Sequence, residues 1–222
     1  MSAGIWKKIV LFLVSVSLLS TTVFASPSGG SCPPKFEFVN GHYYDSWQMD
    51  RNSPWGKNGY MPNLMYESID SAADLAFGWG VEFRKAYPNK ITRAGAILSF
   101  IQSWTAYGSD EEYVIMDEKP QIEWAWNGDE MAYKMKEVFD SKDLARGDCE
   151  DLAFLCGTIY LGAGFDVAIV NPPGHVALLI WLPEYPNANI YWDLGDGEGL
   201  GWIWVEATGR RNPLGWTPSD FS

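Results

Sequence analysis

The chain has 222 residues, is 47% hydrophobic and carries a formal charge of −12 at pH 7. That length and apolar content suffice for a full core in one or two domains, and one is expected. With 28 Asp and Glu against 16 Lys and Arg, the chain lacks the basic face that nucleic acid or an anionic lipid surface requires, so neither is an expected partner.

Lys7 and Lys8 precede the apolar run Ile9 to Leu19, and Val23-Phe24-Ala25 ahead of Ser26 has the small-residue pattern of a cleavage site. Residues 1–25 therefore read as a secretory signal peptide and the protein as secreted or extracytoplasmic. The apolar run is short for a transmembrane helix, and an uncleaved N-terminal anchor is the alternative. Cleavage would remove two lysines and no acids, leaving 14 basic and 28 acidic residues, a net charge of −14. Residues 26–34, rich in Ser, Gly and Pro, read as a flexible leader, and 35–222 as a single domain. Three cysteines, Cys32, Cys149 and Cys156, are too few for a disulfide scaffold.

From Phe36 to Tyr66 aromatic residues are interleaved with turn residues, which predicts irregular structure with short strands. His42 lies here without a second histidine to make a metal pair, and reads as a packing residue. The twelve tryptophans of the chain imply either an aromatic core or an exposed aromatic groove. Ile69, Ala72, Leu75, Ala76, Trp79 and Phe83 share one face of a helix predicted from Ser68 to Tyr87, which Pro88 ends. Ala94, Ile97, Leu98 and Ile101 form the stripe of a second helix, from Thr92 to Trp104. Met131, Met135, Val138 and Phe139 predict a third within 125–145, beside the nucleophile described next.

Arg146-Gly147-Asp148-Cys149-Glu150-Asp151 reads as a helix start. Gly147 permits a sharp turn, Asp148 caps free amides, Asp151 reciprocates three residues on, and Leu152, Ala153, Leu155 and Cys156 continue as apolar helix. Cys149 thus falls in the first turn, where the helix dipole and unpaired amides favour thiolate over thiol. Cys156, seven residues later on the same face, reads as a buried core thiol, with a bridge to Cys32 as the alternative. Arg146-Gly147-Asp148 also spells an adhesion tripeptide, but its residues already serve the helix start.

Gly162 and Gly164 end that helix. Asp166 to Val170 and Val176 to Leu182 read as adjacent buried strands joined by Asn171-Pro172-Pro173-Gly174, with His175 at the turn. Pro183 to Gly201 is a polar loop or hairpin. Ile203 to Val205 forms the next strand, with Glu206 late in the same run. A thiol nucleophile needs a base to take its proton and a polar group to orient the base, and Cys149, His175 and Glu206 supply these in order. The backbone amide of Cys149 and the side chain of Gln102 are the oxyanion candidates. Zinc held by Cys149, His175 and Glu206 would lack paired Cys or His spacing, so no metal or other cofactor is expected.

Gly147-Asp148-Cys149-Glu150-Asp151, the Gly174-His175 strand and Glu206-Ala207-Thr208 together resemble the transglutaminase-like superfamily, whose core is a circular relative of the papain-like cysteine hydrolases. Phe100-Ile101-Gln102 with Tyr107 and Asp110, Pro120-Gln121-Ile122-Glu123, and Gly209 to Trp216 resemble further elements of one secreted archaeal and bacterial group of that superfamily. The resemblance spans roughly Tyr43 to Pro218. The chain departs from the pattern at Trp124 to Ala145, which intervenes before the cysteine motif as an inserted helical segment. The third catalytic position is Glu206 where the wider superfamily has aspartate, although the nearer group also uses glutamate. The resemblance implies an α+β fold with a papain/transglutaminase-like core, in which N-terminal helices including the cysteine helix pack on an antiparallel sheet carrying His and Glu. It also implies a cysteine peptidase, amidase or transamidase acting on a peptide, protein or amide substrate. The alternative is a binding module that keeps the triad geometry and uses an aromatic groove for peptide or glycan.

Overall fold

The protein is seen in a computed structural model that describes residues 10–13, 36–45, 48–52, 75–141 and 143–221. Its elements in chain order are β1 (Val10–Leu13), β2 (Glu37–Val39), β3 (His42–Tyr44), α1 (Leu75–Ala86), α2 (Lys90–Trp104), β4 (Thr105–Tyr107), α3 (Asp110–Tyr113), β5 (Ile115–Met116), β6 (Lys119–Pro120), α4 (Gly128–Val138), β7 (Ala145–Gly147), α5 (Cys149–Gly162), β8 (Val167–Asn171), β9 (Ala177–Trp181) and β10 (Trp202–Val205), followed by a 3-10 turn at Ser219–Phe221. This is a mixed helix and sheet fold. Within the helix predicted from Ser68, residues 68–74 lie outside the described residues, as does Cys32.

Helix α5 is the centre. Every residue from Glu150 to Tyr160 is buried, the condition expected of a helix that is apolar all round and packed on every side. It touches α1, α2 and α4 on one side and β8 and β9 on the other. Its approach to α1 depends on two glycines: a Cβ on Gly80 would stand 2.1 Å from the Ile159 carbonyl oxygen, and one on Gly162 would stand 2.2 Å from that of Phe77. Asn89 caps α2 by accepting from Thr92 N–H at 2.9 Å, and Asn127 and Glu130 form a capping box on α4.

The main sheet is antiparallel in the order β1-β8-β9-β10. Val167, Ile169, Leu178, Ile180, Ile203 and Val205 face the helices, whereas Ala168, Val170, Ala177, Leu179, Trp202 and Trp204 pack on the opposite face under Trp181, Trp192 and Phe221. Both faces being covered, the strands read as continuous apolar runs without alternation. The aromatic content thus goes largely to packing, and of the described tryptophans Trp216 is the exposed one, at 38%. Val10 to Leu13, within the run read as an export signal, pairs with β8 from Asn171 to Ala168.

The segment 124–145 is anchored rather than loosely appended. Met131 and Met135 are fully buried in the core. Arg51, 0% exposed, donates to Asp45 Oδ2, to the Ala125 carbonyl and to Glu130 Oε2 at 2.8–2.9 Å. Trp126 N–H donates to Asp151 Oδ1 at 2.7 Å, tying the segment to the start of α5.

Candidate active site

The short parallel pair β4 and β7 aligns Tyr107 with Gly147, and this pairing aims the chain into α5. Asp148 N–H donates to Asp151 Oδ2 at 3.2 Å, the half of the expected cap that fixes the first turn. A Cβ on Gly147 would press on Asp151 and on the Met131 methyl at 2.9 Å, so the turn and α4 pack tightly together just before Cys149. Arg146, Gly147 and Asp148 are thereby held in a strand and a helix start. Arg146 also lies over the Tyr113 ring.

His175 and Glu206 reach the same place by antiparallel pairing. Val205 stands opposite Leu178, so the residue beyond the end of β10 meets the turn before β9. Glu206 Oε2 and His175 Nε2 are 2.9 Å apart. Glu206 is 3% exposed and its two oxygens also accept from Trp204 Nε1 at 3.2 Å, Thr208 N–H at 3.1 Å and the Thr208 hydroxyl. Burial opposes ionisation of this carboxyl, but the hydrogen bonds from His175 and Thr208 outweigh it and hold the group below the ordinary carboxylate range. The His175 ring stacks on Phe221 at 5.5 Å, with Trp204 on the same stack. With Nε2 committed to Glu206, Nδ1 is the ring nitrogen left for proton transfer.

Cys149 and His175 share the wall of a cavity of ≈ 700 Å³, together with Glu123, Asp148, Glu150, the turn Asn171–Gly174 and Val176. None of these residues comes from 124–145. In this resting arrangement the Cys149 thiol donates to Glu150 Oε2 at 3.1 Å. Among the described residues no hydrogen bond joins it to the His175 ring.

The expectation of a depressed thiol pKa is corrected here. Burial first, then the Glu150 and Asp148 carboxylates, push the Cys149 thiol well above its ordinary value. A helix dipole supplies only about 0.3–1 kcal/mol, less than the roughly 1.4 kcal/mol of one pKa unit, and cannot compete with desolvation and two adjacent acids. The acids perturb each other as well. Burial and Asp148 raise the Glu150 carboxyl to about 9, burial and Asp148 raise Asp110 to about 7, and burial raises Asp151 well above the usual range.

Gln102 is also placed differently from its expected role. Its Nε2 donates to the carbonyls of Glu206, at 3.1 Å, and Asn212, at 3.0 Å, so both amide hydrogens are used in holding the chain that follows β10 and neither is free for an oxyanion. Cys156 is free and fully buried. His42 pairs with Asp50 away from the cavity wall. Asp148, Cys149 and Glu150 bring three potential metal donors within 4.8 Å of one another; of these, Glu150 already accepts from the Cys149 thiol.

Sequence reasoning missed Glu150 as the partner of the thiol, although it stands in the cysteine motif. It also missed Thr208, whose signal was its place two residues after Glu206. Phe221 carried no signal, because its contact with His175 joins residues 46 positions apart.

No known protein family and no curated protein matches the sequence. Among solved structures, the crystal structure of the periplasmic domain of TgpA from Pseudomonas aeruginosa bound to ethylmercury is similar at 16% identity, over 77% of this chain and 53% of that one, with a TM-score of 0.38. The chain therefore spans about half the length of that domain, and a TM-score of this size does not define a common fold.

Proposed function

We propose that the protein is an extracytoplasmic, transglutaminase-like cysteine enzyme that cleaves or transfers acyl groups from peptides or amides. The observation that carries this reading is the His175–Glu206 pair, 2.9 Å apart, beside a cavity whose wall also holds Cys149. Glu206 holds Nε2, so Nδ1 takes the thiol proton once Sγ exchanges its Glu150 contact for the imidazole. Sγ then adds to the carbonyl carbon. The tetrahedral adduct collapses with loss of the amine, which leaves with the proton from His175. Water adds to the thioester, giving its proton to Nδ1, and the acid departs as the thiol reforms. With Gln102 committed elsewhere, the backbone amides of Cys149 and its neighbours at the start of α5 are the oxyanion donors.

The second reading is a binding module that keeps this geometry without turnover. It is favoured by the protonated thiol and its bond to Glu150. An electrophilic peptide amide probe, followed by intact mass on wild type, Cys149→Ala and His175→Ala, separates the two. An enzyme labels at Cys149, not at all in Cys149→Ala, and slower in His175→Ala by roughly 10²-fold or more. Labelling that is indifferent to His175 in a folded protein leaves the binding module.

A further inference from the structure

We infer, resting on His175 as the base of the proposed reaction, that Phe221 is a positioning residue for the imidazole and that the segment Thr217–Phe221 is built to deliver it. The ring of Phe221 lies 5.5 Å from that of His175 with 7° between their planes, and 5.6 Å from that of Trp204 with 16°. His175 and Trp204 are 6.3 Å apart at 22°. Three near-parallel rings therefore meet, in the offset-stacked arrangement that aromatic pairs prefer. The His175 side chain is 16% exposed, and Phe221 covers one of its faces.

The hydrogen bond to Glu206 does not by itself orient the imidazole. It holds Nε2 at 2.9 Å from Oε2 but leaves the ring free to tilt about that bond, and the tilt decides where Nδ1, the atom that takes the thiol proton, points. The parallel face of Phe221 removes this freedom. With the ring held at one edge and on one face, the movement that brings Sγ from Glu150 to the imidazole falls to the cysteine side chain.

Phe221 reaches this place on a chain that is tied down step by step. Gly215 N–H donates to the Trp204 carbonyl at 2.9 Å, and Asn189 N–H to the Gly215 carbonyl at 3.1 Å. The Asn189 side chain then clamps Thr217, accepting from its N–H at 2.8 Å and donating to its carbonyl at 2.9 Å. Thr217 is 1% exposed. A single 3-10 turn follows, in which Phe221 N–H donates to the Pro218 carbonyl at 3.0 Å, and the Phe221 ring packs on the apolar face formed by Trp202 and Trp204. An apolar cover needs only volume, whereas orienting an imidazole needs a planar ring, and this difference can be measured.

The test compares Phe221→Ala, Phe221→Leu and Phe221→Tyr in the full-length protein, with circular-dichroism melts to establish that each is folded. Labelling of Cys149 by the electrophilic peptide amide probe is resolved into a saturating rate and a half-saturating concentration. The ring-proton resonances of His175 are recorded by NMR; the chain has two histidines, and His175→Ala identifies which signals are its own. Phe221→Ala and Phe221→Leu are expected to lower the saturating rate by roughly 3- to 10-fold, the factor that one aromatic pair supplies, with the half-saturating concentration unchanged. Both should also move the His175 resonances, as the ring current of Phe221 is lost. Phe221→Tyr keeps the planar ring and should restore rate and resonances together. A Phe221→Leu protein that labels at the wild-type rate, or His175 resonances unchanged in Phe221→Ala, overturns the inference. If His175→Ala slows labelling and Phe221→Ala does not, the base reading stands and the positioning role falls. If the resonances move but labelling is indifferent to His175, the base reading falls and the positioning role falls with it.

Discussion

Replacing Glu206 by Gln tests the centre of the site. The carboxylate accepts four hydrogen bonds, two on each oxygen: His175 Nε2 and Trp204 Nε1 on Oε2, and the Thr208 amide and hydroxyl on Oε1. Gln offers only one acceptor oxygen. If its NH₂ replaces Oε1, the Thr208 hydroxyl can rotate to accept but the Thr208 N–H is stranded. If it replaces Oε2, Trp204 Nε1–H is stranded and His175 must switch tautomer, losing Nδ1 as a base. Each stranded buried donor costs about 1–3 kcal/mol. Loss of the charged hydrogen bond adds to this, so a destabilisation of roughly 2–3 kcal/mol is expected, seen as a melting point lower by about 5–10 °C for a chain of this size. Because the Glu206 pKa is depressed on folding, its contribution is complete at neutral pH and fades as pH falls through its folded value. The melting difference between Glu206→Gln and wild type should therefore shrink on acidification. Probe labelling of Cys149 should slow by roughly 10²- to 10⁴-fold. Circular-dichroism melts across acidic pH, together with labelling rates, check both statements. A Glu206→Gln protein that melts with wild type and labels at the wild-type rate would refute the reasoning.

Folded-state carboxyls at Asp110 and Glu150 sit at about 7 and about 9, above their unfolded values, so the stability they contribute is present in acid and lost as pH rises from about 4 toward 9. Melting temperature should decline over that range, and the decline should flatten in Glu150→Gln. At neutral pH a small neutral alkylating reagent should modify Cys149 more slowly than the unfolded chain. Glu150→Gln should speed that reaction at alkaline pH, where the carboxylate is charged, whereas Cys156 should react only on unfolding; mass spectrometry of time points decides. Gln102→Leu removes two donors to the chain after β10 and should cost about 1–3 kcal/mol in denaturant titration, with slower Cys149 labelling as Glu206 loosens. Gly80→Ala drives a methyl group into the Ile159 carbonyl and should destabilise by about 1–3 kcal/mol or more. A variant as stable as wild type would contradict the close crossing of α1 and α5.

Local chemistry was legible in the sequence wherever a signal lies within a few residues. The α2 helix, the start of α5 at Asp148 and Asp151, the strands β8 to β10 and the burial of Cys156 all follow from periodicity, capping residues and β-branched runs, which act over one or two turns of chain. The order Cys149, His175, Glu206 was legible too, because each residue stands at the end of a recognisable element. The tertiary structure decided what those ends meet. It set Glu150 and Asp148 against the thiol, with Glu150 buried and the other two half-buried, so that desolvation and like charge overrode the helix dipole. It spent Gln102 on two carbonyls more than one hundred residues away, and it packed Phe221 on the imidazole. Electrostatic energy and hydrogen-bond satisfaction depend on distance through space and on exclusion of water, and neither quantity is carried by sequence neighbours.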